Sequence, residues 1–213
     1  MIIGNGMIAK ALQGLSFDNV LIFASGVSDS GCCSEIEFKK ERDLFRIQDH
    51  LMSVYFSTIT VLQEQKTPYI LHKIAMEEMV RLGPHLILRF PNLIGPEQCN
   101  KQLIPSLIRQ IQTGKVNIQK NATRCILDVI TVADIVSKFL KKEEQGTFNI
   151  FGRPISIEDL VSKICQILGA NPKINYVEAT DYPTLKPTIR LENDYYSKIL
   201  TKYLPAPNGS GSI

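Results

Sequence analysis

Tyr69 and Lys73 stand four residues apart in TPYILHKIAMEEMV, residues 67–80, where apolar residues recur at helical spacing. One helical turn brings the phenol and the ammonium to the same face, and a close cation favours phenolate, typically by about 1 to 3 pH units. A phenol adjusted in this way can move a proton to or from an alcohol as hydride leaves or reaches its carbon, a contribution of roughly 10² to 10⁴ in rate. Such chemistry also needs a hydroxyl to hold the reacting oxygen. Ser57 and Thr58, in the preceding apolar run YFSTITV, are placed to supply it. Seven tyrosines and 16 lysines in 213 residues give the spacing about half an occurrence by chance. The chain contains it twice. The second pair, Tyr182 and Lys186 in YPTLKP, holds Pro183 and is followed by Pro187, so a regular helix there is disfavoured and the pair serves as a control.

The elements around the first pair must position it, and β-rich apolar runs alternate with helical patterns along most of the chain. The pattern predicts strands at 1–3, 19–25, 53–61 and 85–90, with helices at 4–15, 34–52 and 69–82 between them. PNLIGPE, 91–97, reads as a loop, followed by a helix over 101–113 and short strands in KVNIQ and RCILDVI. A helix over 131–142 is expected with Thr131 as its cap and Asp134 at the third position; a strand follows in GTFNIFG. A helix from Ser156, its cap, to Gly169 and a strand in KINYVE complete the series, and 206–213 has the composition of a flexible tail. This order implies an α/β fold, a mostly parallel sheet with helices on both faces.

The totals exclude other classes. With 44% hydrophobic residues the chain can bury a core as one domain, with room for a smaller appended lobe. A net charge of +3, with KFLKK at 138–142 as the densest basic run, does not suggest nucleic acid. No apolar run approaches the roughly 20 residues of a membrane span and no leader pattern is visible, so a cytoplasmic location is expected. Cys32, Cys33, Cys99, Cys125 and Cys165 form no C-x-x-C and are expected as reduced thiols. His50, His72 and His85 have no metal-ligand spacing and read as surface or packing residues.

GNGMIA places Gly4, Gly6 and Ala9 in a G-x-G-x-x-A turn between strand and helix, where Gly4, Asn5, Gly6, Met7 and Ile8 could approach a pyrophosphate. The acidic residue that usually holds the adenosine ribose after the second strand is absent, since that strand runs into SGVSD.

The glycine turn, FSTITV, PYILHK, LRFPNLIGPE, LDVITVADIV and GTFNIFGRPISIEDLVSKI occur in the order found in the extended short-chain dehydrogenase/reductases, the nucleotide-sugar epimerase/dehydratase group, which the chain resembles from Gly4 to about Pro205. The resemblance implies a Rossmann-like core over 1–150, with 100–125 open to assignment to a substrate lobe, and a small substrate-binding lobe over 151–205. It implies Thr58, Tyr69 and Lys73 as the catalytic residues, Ser57 being the fallback for Thr58, with Lys73 holding the nicotinamide ribose of NAD or NADP and lowering the tyrosine. Cofactor contacts are implied for Gly4, Asn5, Gly6, Met7, Ile8, Ala24, Ser25, Ser57, Tyr69, Lys73 and Pro91. Substrate contacts are implied for Asn92 and, through the nucleotide diphosphate, Arg190; Arg124 and Arg153 are weaker candidates for that role and read rather as surface residues. About one β-α-β unit of the family is missing between Gly4 and Thr58, which leaves the first strand at or near the sheet edge. Ile59 and Thr60 stand where dehydratases carry an acidic pair, so the implied activity is a nucleotide-sugar reductase or epimerase in bacterial surface-polysaccharide biosynthesis. A non-catalytic protein that binds a nucleotide or nucleotide sugar remains the alternative. A homodimer through the helices at 34–52 and 69–82 is a further expectation.

Overall fold

In the computed structural model, which describes residues 1–15, 17–48, 52–98, 100–178 and 182–204, side-chain alternation divides the strands between two faces. The elements in chain order are β1 (Ile2–Ile3), α1 (Met7–Ala11), β2 (Val20–Phe23), α2 (Glu35–Arg46), β3 (Met52–Thr58), α3 (Pro68–Val80), β4 (His85–Phe90), β5 (Asn92–Ile94) and α4 (Leu103–Gln112). There follow β6 (Lys115–Gln119), β7 (Thr123–Arg124), β8 (Ile126–Asp128), α5 (Val129–Lys141), β9 (Gly146–Asn149), β10 (Ile155–Ser156), α6 (Ile157–Leu168), β11 (Lys173–Val177) and α7 (Tyr195–Tyr203). The main sheet is parallel, in the order β1-β2-β3-β4-β9.

Leu21, Phe23, Tyr55 and Ile87 pack beneath α2 and α3, against Phe45, Met76 and Val80. Ile22, Val54, Phe56, Leu86 and Leu88 pack on the opposite face, against Leu12 beyond α1 and Val132 and Val136 of α5. Helices therefore cover both faces, as the alternation implied. β1 to β4 lie side by side in chain order, so each crossover steps the same way across the sheet. Because α1 lies on one face and α2 and α3 on the other, the β1-α1-β2 crossover has the opposite hand from the next two. Parallel crossovers are right-handed in about 98% of cases. β1 lies at the edge of the sheet, as expected from the missing β-α-β unit.

A second core, with Ile104, Leu107, Ile118, Leu160, Ile164 and Leu200 at its centre, joins α4, β6, α6 and α7. β6 and β11 pair in parallel, β7 and β10 antiparallel, and β5 and β8 in parallel.

Several boundaries differ from the sequence reading. α2 ends at Arg46 rather than running to 52, because Met52 is claimed by β3, where it pairs with Val20. The strand expected to reach 61 ends at Thr58, whose Oγ1 accepts the Thr60 amide at 3.2 Å and turns 59–62 into a 3₁₀ turn. Asn92–Ile94 is not loop but β5, paired with β8. α5 begins two residues before Thr131: its cap is Asp128, whose Oδ1 accepts the Ile130 amide at 2.9 Å, and Asp134 is an exposed interior position. α7 was not anticipated. The expected caps of α6 are present: Ser156 Oγ accepts the Asp159 amide at 2.9 Å, and Gly169 ends the helix at φ 62°. Cys99, His50 and the tail at 206–213 lie outside the described residues.

Candidate active site

The C-terminal ends of β1 to β4 open on a cleft of about 870 Å³, whose far wall is formed by α4, β6 and Arg124. Ligands of open parallel α/β sheets bind at this end of the strands. Gly6, Met7, Ile8, Ala24, Ser57, Thr58, Tyr69, Lys73, Pro91 and Asn92 line it, whereas Gly4, Asn5, Ser25 and Arg190 are not among the lining residues. Gly4 acts behind the cleft. At φ 132°, a methyl there would lie 2.3 Å from the Ala24 carbonyl oxygen, so only glycine lets the exits of β1 and β2 pass this closely.

α3 presents Tyr69 and Lys73 from its first turns. Thr67 caps it, accepting the Ile70 amide at 3.3 Å, and Pro68 occupies a first-turn position that needs no amide donor. Lys73 Nζ lies 6.0 Å from the centroid of the Tyr69 ring. Its hydrogen bonds go elsewhere, to Tyr55 Oη at 2.9 Å and Glu41 Oε1 at 3.2 Å. Glu41 reaches this point because Phe38, Glu41 and Phe45 share one stripe of α2, which puts a carboxylate on the buried face. Its Oε1 also accepts the Tyr55 hydroxyl at 2.7 Å, and its Oε2 takes the Val27 amide at 2.7 Å and His72 Nε2 at 2.9 Å. Burial alone would raise the Glu41 carboxyl, but the Lys73 ammonium and these hydrogen bonds outweigh it and bring it down to about 2.

The lowering expected for Tyr69 is reversed. Burial pushes the phenol above its ordinary value, and the negative charges of Glu41 and Asp29 add to the rise. Lys73 does not offset this because Glu41 compensates its charge at contact distance.

Thr58 and Ser57 separate by partner. Ser57 donates to Glu77 Oε1 at 2.6 Å, while Thr58 Oγ1 lies 2.9 Å from Thr60 Oγ1. Glu77 in turn receives Arg89 through Nε at 2.8 Å and Nη2 at 2.5 Å, and Arg81 at 2.6 Å. Burial would raise its carboxyl, but Arg89, Ser57 and Arg81 hold it below the ordinary value. This network fixes the end of β3 against α3 and β4.

On the opposite side Asn92 Nδ2 donates to Tyr182 Oη at 3.1 Å, and the Arg124 guanidinium lies 4.2 Å from the centre of the Tyr182 ring. Arg124 is 9% exposed and lines the cleft, contrary to its reading as a surface residue. The pairing of β7 with β10 buries it there, with Nη2 on Gln119 Oε1 at 2.5 Å. Arg190 is exposed, in the irregular segment before α7. Tyr182 and Lys186 form no helix, yet Tyr182 lines the cleft by itself.

Glu41 and Tyr55, which hold Lys73 from behind the cleft, and Tyr182, which lines it, were thus missed, while Arg124 was only a weaker candidate. Only Glu41 had a local signal, its place between Phe38 and Phe45. His72 is a buried packing residue, stacked on Phe38 with centroids 4.3 Å apart. Cys32, Cys33, Cys125 and Cys165 are free thiols. Among the described residues no group of three or more His, Cys, Asp or Glu could hold a metal ion, and no helix is long and apolar enough to cross a membrane.

Residues 55–150 match the NAD dependent epimerase/dehydratase family. A search of the curated proteins finds no match. Among solved structures, a UDP-N-acetylglucosamine 4-epimerase from Methanobrevibacter ruminantium M1, in complex with UDP-N-acetylmuramic acid, superimposes with a TM-score of 0.69 at 15% identity, covering 87% of this chain and 75% of that one. The Bordetella bronchiseptica enzyme WbmH in complex with NAD+ gives 0.68 at 14%, covering 86% and 73%. A UDP-glucuronic acid 4-epimerase from Bacillus cereus, with UDP-glucuronic acid and NAD, gives 0.62 at 18%, covering 95% and 74%. At these identities the likeness establishes the fold, α/β and Rossmann-like.

Proposed function

We propose that this chain, a relative of the NAD dependent epimerase/dehydratase family by its match over residues 55–150 and by its fold, is an NAD(P)-dependent oxidoreductase that acts on a nucleotide sugar as a keto-sugar reductase or epimerase. The observation that carries this reading is that Thr58, Tyr69 and Lys73 meet the glycine turn at Gly6, Met7 and Ile8 in one cleft. The residues fit the nicotinamide half of a dinucleotide: Gly4 brings the exits of β1 and β2 together, and the Lys73 ammonium has three hydrogens, of which Tyr55 and Glu41 engage two. Lys73 would hold the ribose, and Pro91 and Ala24 would flank the ring. When bound, the dinucleotide supplies or accepts hydride.

Thr58 Oγ1 holds the reacting oxygen, and Tyr69 Oη gives or takes its proton. Asn92 and the Arg124 guanidinium contact the nucleotide sugar from the other wall, Arg124 taking the diphosphate role that the resemblance implied for Arg190. The lobe of α4, β6, α6 and α7 is the substrate lobe, wider than 151–205 and including 100–125. A cytoplasmic role in bacterial surface-polysaccharide synthesis, and a homodimer through α2 and α3, which expose Ile36 and Leu71, belong to the same reading.

Calorimetry with NAD(H), NADP(H) and a panel of UDP-, dTDP- and GDP-sugars tests it. Dinucleotide binding is expected, and Tyr69→Phe should abolish turnover with binding nearly intact. No dinucleotide binding at millimolar concentration would sink the enzyme reading. It would favour the second one, a nucleotide-sugar binding protein, which the bare edge of β1 motivates.

A further inference from the structure

Lys73 is 3% exposed, and its counter-charge comes from outside the motif. Glu41, also 3% exposed, stands 32 residues earlier in the chain, on a different helix. Tyr55 bridges the two, donating to Glu41 at 2.7 Å and accepting from Lys73 at 2.9 Å. The backbone after β2 closes over them: a methyl on Gly26 would fall 2.7 Å from Lys73 Nζ and 2.8 Å from Glu41 Oε1, and the Val27 amide is bound to Glu41 Oε2. His72, whose Nδ1 is buried without a partner, turns Nε2 to Glu41. Four donors from β3, α3 and the loop after β2 thus converge on one carboxylate.

We propose that Glu41 is a positioning residue of this site: its buried carboxylate fixes the Lys73 ammonium against Tyr55 and beneath Gly26, so that Lys73 meets the cleft as half of a neutral pair and the resting proton stays on Tyr69 Oη.

This rests on the oxidoreductase reading and sharpens it toward reduction. A site that rests as phenol is set to give a proton. The Tyr69 O–H bond breaks and an O–H bond forms on the substrate carbonyl oxygen, the carbon being reduced by the dinucleotide of that reading; the phenolate is left near Lys73 and regains its proton from water. The other groups that act on Tyr69 favour the same state. Asp29, in the loop after β2, adds negative charge; Lys101, just before α4 and bound to Asp29 at 2.9 Å, opposes it without cancelling the rise. Burial and these charges together hold the phenol high.

The test is the titration of Tyr69 itself, without ligand, followed by NMR of protein carrying ¹³Cζ-tyrosine, with Tyr69→Phe assigning the resonance. In the wild type Tyr69 should keep its phenol position beyond pH 10, the ordinary midpoint of tyrosine. In Glu41→Gln the onset of ionisation should fall by roughly one pH unit or more, the size expected for a nearby charge. Glu41→Asp, which keeps the charge, should restore the high value. Because Glu41→Gln leaves a buried ammonium unpaired, the comparison is repeated between Lys73→Met and the double variant Lys73→Met/Glu41→Gln. Tyr69 should titrate lower in the double variant. Equal titration in both comparisons, or a wild-type Tyr69 that ionises below pH 10, would overturn the proposal. Dinucleotide calorimetry on the wild type decides the oxidoreductase reading separately, since the titration needs no cofactor.

Discussion

At the scale of single residues, a charge is defined by what encloses it. Glu41 sits among EFKKERD, where Glu37, Lys39, Lys40 and Asp43 are exposed and of little energetic consequence. Burial alone would raise its carboxyl, but the Lys73 ammonium and the hydrogen bonds from His72, Val27 and Tyr55 bring it down to about 2 from an unperturbed 4.5. A carboxyl lowered by folding contributes stability above the unfolded value, and that contribution is lost as pH falls from about 4.5 toward 2, because the unfolded chain takes up the proton first. The shift corresponds to on the order of 3 kcal/mol. Urea midpoints compared at pH 6 and pH 3 should show a steep loss in the wild type and a smaller one in Glu41→Gln, which has no carboxyl to titrate at that position. Equal slopes would mean that Glu41 is not coupled to folding. Tyr69, Lys73 and Thr58 were legible because their relation is local, four residues on a helix and one strand end before it. Arg124 was not, since nothing beside it in sequence indicates that the β7 and β10 pairing buries it.

Among the elements, legibility followed the completeness of the local signal. β4, built around the apolar LIL of HLILRF and ended by a proline, was read to the residue, and α6 announced both its ends. α5 was misplaced because Thr131 and Asp134 imitate a cap, while the true one, Asp128, is also held from elsewhere in the chain. Its Oδ1 accepts the Tyr203 hydroxyl at 2.7 Å, its Oδ2 binds Lys202 at 2.9 Å, and its amide donates to Tyr195 at 2.7 Å. α7 was passed over because proline-rich stretches flank it, although Tyr196, Ile199 and Leu200 have helical spacing. One residue therefore starts α5 and anchors α7. Loss of a cap alone costs about 0.5 to 2 kcal/mol. Asp128→Ala should exceed that range, with a loss of about 2 to 3 kcal/mol in urea denaturation once the ion pair and the tyrosine contact are gone. Hydrogen exchange should report α7 as the first helix to open in the variant. A loss within the capping range and unchanged protection of α7 would show that Asp128 acts on α5 alone.

Across the whole molecule, the sheet order combines with the lone short helix between β1 and β2. The sequence indicated the shortening through the brief interval between Gly4 and Thr58. It could not indicate the change of crossover hand, which depends on the face that α1 takes. On the proposed function, β1 as the edge strand would leave one half of a two-nucleotide ligand beyond the sheet. On the function proposed above, the adenylate portion then acts as a handle with no seat, and a mononucleotide of reduced nicotinamide should be a serviceable replacement. Its dissociation constant should lie within about tenfold of that of the full dinucleotide, a difference of about 1.4 kcal/mol. A thousandfold gap in calorimetry would mean that adenylate is gripped after all. If the gap is small, the single nucleotide is the natural unit of recognition at this edge, and discrimination between NAD and NADP, which differ only on the unseated half, should be nearly absent.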